Sequence, residues 1–324
     1  MRLIADVMGA DASAEVLAPA FVQGAREAGI DLTLCGDADR IRASLAPEDL
    51  DRVKIEHTLS AVTMEDSPMS AIKKKKDSSM ARALTLLAEG AGDVVISAGN
   101  TGALVTASSV IVGRLDGMKT AAIGTVLPLS TPTLLMDAGA SINLLPENFV
   151  QFAHLGSAYA EALFGIEHPR VGLVNNGAEE TKGTELYRTA YGLLKEEKGI
   201  RFVGNIEGRD VPFGRCDVLL SDGFVGNILL KTVEGFGFYF SGILKQGLTA
   251  SARTKAAALL LKPQLKELRR KLDYTEYGGA PILGIKAPVI KAHGASGPKA
   301  IISAVKMAAK VAESGFFDRV ANGL

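Results

Sequence analysis

Cysteine is scarce in this chain of 324 residues: only Cys35 and Cys216 occur. A disulfide framework is therefore excluded, and no CxxC spacing offers a zinc site. Each cysteine lies in or at the end of an apolar, strand-like run, which predicts buried free thiols. The 4 histidines, His57, His154, His168 and His293, show no HExxH or related spacing, so no metal site is expected. No apolar run reaches the roughly 20 residues that a bilayer span needs. Neither charge sign is in excess, with 36 Lys and Arg against 36 Asp and Glu. The whole molecule thus has no reason to seek nucleic acid or anionic lipid, and any such contact needs a local patch. The GxxxxGK[ST] loop, a strand-linked GxGxxG and the GxSxG elbow are all missing. The opening MRLIADVMGAD enters a strand-like run without the features of a signal peptide, so a cytoplasmic protein is expected.

The apolar share of 47% and charged share of 22% suit a soluble globular protein. The length fits one large α/β domain with an excursion, or two lobes sharing a sheet. Apolar strand candidates fall near 2–7, 31–35, 52–56, 93–97, 120–126, 133–137, 170–174, 201–205, 216–221 and 287–292. Helical periodicity fills 14–28, 78–89, 101–113, 147–164, 184–198, 225–246 and 298–314. This alternation predicts a doubly wound, three-layer α/β/α sandwich. One stretch breaks it. Residues 224–273 contain no strand candidate and read as an inserted arm of two antiparallel helices, interrupted near 247–263. The tip carries Leu259, Leu260 and Leu261 among cations that include Arg253, Lys255, Lys262 and Lys266. Such a mixture suits a lipid interface; a dimer contact or a solvated helix fits as well. Phe236, Phe238, Tyr239 and Phe240 either line an acyl groove or pack the base of the arm or a dimer interface.

One pattern occurs twice. Residues 93–102 read DVVISAGNTG and residues 217–226 read DVLLSDGFVG, both matching D-V-φ-φ-S-x-G-x-x-G, with φ apolar. An apolar run without alternation suits a strand buried on both faces of a parallel sheet. Glycine lets the following turn lie close to a ligand, and the next helix aims free N–H groups at it. Two such bends at strand carboxyl ends suggest a phosphate-sized anion site built from Gly99, Asn100, Thr101 and Gly102 and from Asp222, Gly223 and Gly226. Two ordinary strand-to-helix turns are the plainer reading.

Other polar residues gather at the same sheet edge. Lys182, before a helix start, either holds an oxyanion or is a surface lysine. Asn227 is a cap-type residue or an oxyanion donor. His293 is a donor or a satisfied structural histidine. The run Lys73, Lys74, Lys75 and Lys76 is a solvated surface or a dock for an acidic partner. No protein nucleophile is evident. Anion donors without a nucleophile suit a reaction in which phosphate, ionised at neutral pH, is itself the attacking group.

At this point the chain resembles the bacterial acyl-carrier-protein:phosphate acyltransferases of phospholipid synthesis (PlsX type) along essentially its whole length. The segments that carry the resemblance are KKKKDSSM at 73–80, ISAGNTGAL at 96–104, DAGASINLLPENFVQFAHLG at 137–156, RVGLVNNGAEETKGTEL at 170–186, FVGNIEGRD at 202–210, SDGFVGNILLKTVEG at 221–235 and YGGAPILGIKAPVIKAHGAS at 277–296. The resemblance implies phosphate attack on a long-chain acyl-carrier-protein thioester, giving acyl phosphate, with no cofactor. It implies a fold similar to the isocitrate and isopropylmalate dehydrogenases, a homodimer, and peripheral attachment to the membrane, where a glycerol-phosphate acyltransferase uses the product. It assigns Lys182 and Asn227 as the essential polar pair, with His293 the next candidate. The chain departs from the family at its start: the usual DAMGGDxAP, with a histidine, is replaced by Asp6-Val-Met-Gly-Ala10-Asp11-Ala12-Ser13-Ala14. Other classes consistent with the residues are a short-chain phosphotransacylase using coenzyme A and a non-catalytic, membrane-associated scaffold.

Overall fold

The computed structural model describes residues 1–127, 129, 131–141, 143–272, 278–292 and 297–321. Its strands are β1 (Arg2–Asp6), β2 (Asp31–Gly36), β3 (Val53–His57), β4 (Val94–Ser97), β5 (Ala122–Ile123) and β6 (Thr125–Leu127), followed by β7 (Thr133–Met136), β8 (Arg170–Asn175), β9 (Arg201–Glu207), β10 (Val218–Leu220), β11 (Ala280–Leu283) and β12 (Val289–Lys291). They form two sheets, ordered β3-β2-β1-β4-β12-β11-β5 and β6-β7-β10-β8-β9. Five neighbours in the first sheet and four in the second run parallel, as the buried apolar runs imply.

Successive residues of each strand point to opposite faces. Leu3, Ala5, Val94, Ile96, Leu134, Met136, Val218 and Leu220 enter one core, with the helices Ala14–Ala28, Pro146–Phe164 and Pro298–Glu313. Ile4, Val95, Leu135, Leu219 and Val289 enter the other, with the helix Ser79–Ala88. Each core spans both sheets, so the molecule is a three-layer α/β/α sandwich. Cys35 and Cys216 are buried free thiols on its strand layer.

Two features differ from the sequence pattern. The run expected as a single strand over 120–126 divides at Gly124: β5 pairs antiparallel with β11 in the first sheet and β6 pairs antiparallel with β7 in the second. A Cβ on Gly124 would lie 3.0 Å from Leu283 and 3.2 Å from Leu134, so both sheets crowd this residue. Strand β11 gave no readable signal because Pro281 sits in it. Its neighbours on both sides are antiparallel, and the Pro281 carbonyl still accepts from the Gly124 N–H.

The segment after β10 forms three helices, Gly223–Thr249, Ala252–Leu260 and Lys262–Leu272, and holds no strand over its described length. Ser251 caps the second of these by accepting from the Thr254 N–H. In the long first helix only Gly223 and Gly226 are buried; Phe236, Phe238 and Tyr239 are exposed. Among the described residues, no helix is long and apolar enough to cross a membrane.

Candidate active site

Both glycine bends lie at strand carboxyl ends, one in each sheet. The first follows β4. Ser97 donates to the buried Asp6 carboxylate (2.7 Å) and accepts from the Gly99 N–H (3.1 Å). Burial pushes the Asp6 carboxyl up, opposed by hydrogen bonds that include those from Ser97 and the Met8 N–H. Asn100 then caps the helix Thr101–Ala107, its Oδ1 accepting from the Ala103 N–H (3.0 Å). Its Nδ2 donates to the carbonyls of Thr63, Met64 and Asp66 at 3.1–3.2 Å. Asn100 is therefore a clamp that holds the 63–66 loop beside the bend, and its side chain is occupied within the protein. A Cβ on Gly102 would lie 2.9 Å from Pro68, so glycine permits this close approach. What the first bend offers an anion is the start of a helical run capped by a neutral amide; this run continues past Ala107 as a π-helical turn, Ser108–Val112.

The second bend follows β10 and is bonded differently from the first. Asp222 caps the helix Gly223–Thr249: its Oδ1 accepts from the Val225 N–H (2.8 Å) and its Oδ2 from the Tyr187 hydroxyl (2.8 Å). The Gly223 N–H goes to the Ser141 carbonyl and the Gly226 N–H to the Asp222 carbonyl. These amides are engaged within the protein and a carboxylate caps this helix start, so Asp222, Gly223 and Gly226 hold the bend to its neighbours. A Cβ on Gly226 would approach the Asp137 carbonyl oxygen to 1.9 Å, and one on Gly223 the Ser141 carbonyl oxygen to 2.4 Å. The helix can touch the 137–141 turn only because these residues lack side chains. Asp137, buried at the centre of that turn, accepts from the N–H groups of Ile123, Gly139, Ala140 and Ser141.

Lys182 and Asn227 are exposed in the single chain, Lys182 in the loop after β8 and Asn227 in the first turns of the helix after its neighbour β10. The loop that carries Lys182 is fixed from below. Asn175 donates to the Lys182 carbonyl (3.2 Å) and to Asn205 (3.1 Å), and Asn205 donates to the Glu179 carbonyl (2.8 Å). Gly183, at φ 89°, makes the sharp exit from this loop. Asn227 lies over the 137–141 turn, beside Gly139. His293 lies outside the described residues.

Of the lysine run, Lys73, Lys74 and Lys76 are exposed. Lys75 turns inward, donating to Asp66 (2.6 Å) and to the Ala61 carbonyl (2.9 Å), and its hydrogen bond holds the Asp66 carboxyl below the usual range. Leu259, Leu260 and Leu261 are exposed, Leu260 to 83%.

Lys291 is the residue at this edge that the sequence pattern did not single out. It closes β12, is 8% exposed, and donates to the Ala98 carbonyl of the first bend (3.3 Å) and to the Ala292 carbonyl. The available signal was a charge ending the apolar run Pro288-Val-Ile-Lys291.

Among solved structures, the fold is similar to a phosphotransacetylase from Streptococcus pyogenes (TM-score 0.62, 14% identity, covering 97% of this chain and 94% of that one). It is also similar to 4-hydroxythreonine-4-phosphate dehydrogenase from Klebsiella pneumoniae (TM-score 0.57, 11% identity, 96% and 99%). These likenesses establish the class: a dehydrogenase-like α/β fold. Residues 1–319 match the fatty acid synthesis protein family, and the chain belongs to it. It is 43% identical over 326 residues to the phosphate acyltransferase of Thermoanaerobacter pseudethanolicus (99% of this chain, 96% of that protein). Against the phosphate acyltransferase of Clostridium acetobutylicum it is 41% identical over 328 residues (100% and 99%).

Proposed function

We infer that this chain transfers a long-chain acyl group from the thioester of an acyl-carrier protein to inorganic phosphate. A phosphate oxygen attacks the thioester carbonyl carbon, the C–S bond breaks, and acyl phosphate and the free carrier thiol leave. The observation that carries this reading is the first bend, where an uncharged cap starts a helix and a buried ammonium holds the Ala98 carbonyl just before that cap. Phosphate is already an anion and needs placement more than activation. A thiol nucleophile has no support: Cys35 and Cys216 are buried, and burial pushes the Cys216 thiol up to about 12. In this reading Lys182 and Asn227 stabilise the thioester oxyanion, and His293 is the candidate donor to the leaving sulfur.

Three surfaces fit the partners of this reaction. Lys73, Lys74 and Lys76 offer exposed positive charge to an acidic carrier protein. The exposed Phe236, Phe238, Tyr239 and Phe240 suit a second copy of the chain in a homodimer. Leu259, Leu260 and Leu261, flanked by cations, suit peripheral contact with an anionic membrane, where an amphiphilic acyl phosphate would pass to a glycerol-phosphate acyltransferase. Nothing in the charge balance calls for nucleic acid.

One assay tests the central claim: acyl phosphate formed from phosphate and palmitoyl-carrier protein, run beside acetyl-coenzyme A. Turnover of the carrier substrate alone is expected. Preference for acetyl-coenzyme A would replace this reading with a short-chain phosphotransacylase, and no turnover of either would leave a scaffold. Lys182→Ala should lower turnover about a hundredfold to a thousandfold, the usual cost of an oxyanion donor.

A further inference from the structure

Three parallel strands bring Asp6, Ser97 and Lys291 into one row: β1 pairs Asp6 with Ser97, and β12 pairs Lys291 with Ser97. All three are buried. The row grips the 98–99 peptide from both sides. Lys291 donates to its carbonyl oxygen, while its N–H donates to Ser97, whose hydroxyl is in turn given to Asp6. Lys291 also holds the Ala292 carbonyl, at the point where the chain leaves β12. A lysine this deep is costly unless its charge is compensated. The second bend manages without one. There Ser221 follows Leu220, and the neighbouring strand β8 continues from the paired Leu173 to Val174. An ammonium is therefore not a requirement of the bend itself.

We propose that Lys291 is a positioning residue for phosphate. Its ammonium, seated on the Ala98 and Ala292 carbonyls, sets the 98–99 peptide and through it the aim of the Thr101 and Gly102 amides at the anion. This rests on phosphate binding at the first bend. The groups that act on the ammonium come from three elements: Asp6 on β1, Asp11 in the loop after it, and Lys231 on the helix Gly223–Thr249. Burial lowers the Lys291 pKa from 10.5 to about 8; Asp11 and Asp6 pull it up, and the like charge of Lys231 pushes it further down.

The two consequences of that shift have opposite signs. The positioning contact exists only in the protonated form, so turnover falls as pH rises through about 8. Stability moves the other way. The unfolded chain keeps its proton up to about 10.5, so between these values it binds more protons than the folded state, and this lysine's contribution to folding grows with pH. A lysine with a purely structural role would produce no loss of activity in that window.

The experiment measures kcat and KM for phosphate, with palmitoyl-carrier protein saturating, from pH 6.5 to 9.5, with a melting curve at each pH. For the native protein we expect kcat/KM for phosphate to fall above about pH 8 while the melting temperature shows no matching loss. Lys291→Arg, which cannot lose its proton in this range, should abolish that fall. Lys291→Met should lower kcat/KM at pH 7 about ten- to hundredfold, as for a lost charge-assisted hydrogen bond, with the fold retained. A flat profile in the native protein overturns the proposal even if neither variant folds. So does an unchanged alkaline fall in Lys291→Arg. Gly102→Ala separates the two levels: a phosphate KM moved by Gly102→Ala but not by Lys291→Met removes the lysine and leaves the bend, while one moved by neither removes both.

Discussion

At the first bend the helix begins after Asn100, the third residue beyond Ser97; at the second it begins after Asp222, the residue directly following Ser221. The variable position of the shared pattern explains the difference. Ala98 has no side-chain oxygen, so capping waits for Asn100. Asp222 caps at once and draws Gly223 into the first helical position. The outcome is two bends of opposite electrostatic character. One has a neutral cap with Lys291 behind it; the other has a carboxylate cap with Val174 in the corresponding place. A repeated backbone motif therefore need not repeat its electrostatics. Charge at a single position decides whether the helix start can accept an anion or is already satisfied.

Gly226→Ala should have the largest effect on this pair of bends. A methyl group driven toward the Asp137 carbonyl forces the helix off the turn, at a cost of roughly 3 kcal/mol or more. Urea denaturation would record it, and a melting temperature close to that of the native protein would contradict the packing role of the second bend. Next comes Asn100→Asp, which gives the first bend the cap of the second. Two donated N–H groups, shared among three carbonyls, become contacts between a carboxylate and carbonyl oxygens, at about 1–3 kcal/mol for each group left unsatisfied. Phosphate KM should rise at least tenfold, and an unchanged KM would show that the anion does not visit this bend.

Asp222→Ala is the reciprocal change. It should cost about 1 kcal/mol as a lost cap and leave phosphate KM alone. A clear shift in that KM would mean that the second bend takes part after all. The smallest effect is expected at the lysine run. Replacing Lys73, Lys74 and Lys76 by alanine should raise the KM for carrier protein modestly, and less so as salt is added. An effect indifferent to salt would argue against docking by charge.

The alternation of buried strands and helices was legible in the sequence because each parallel strand is a short apolar run, and both bends could be placed from the D-V-φ-φ-S-x-G-x-x-G repeat. Partnership was not legible. Nothing local to Asn100 says that its amide is taken by carbonyls 34 to 37 residues earlier. The contact of Lys291 with Ala98 spans 193 residues. The sequence shows Asp222 as a carboxylate without saying that Val225 and Tyr187 bond to it. The division of 120–126 at Gly124 was hidden for a similar reason: strand propensity is continuous there, and only the pairing partners change.

Asp66 touches both the lysine run and the first bend. Its backbone carbonyl receives Asn100, and its carboxylate receives Lys75. Two polar contacts through one residue thus link the segment that bears the lysine run to the cap of the first bend. Any partner that landed on that segment and shifted it would tug directly on Asn100, so the lysine-rich surface and the first bend are mechanically coupled.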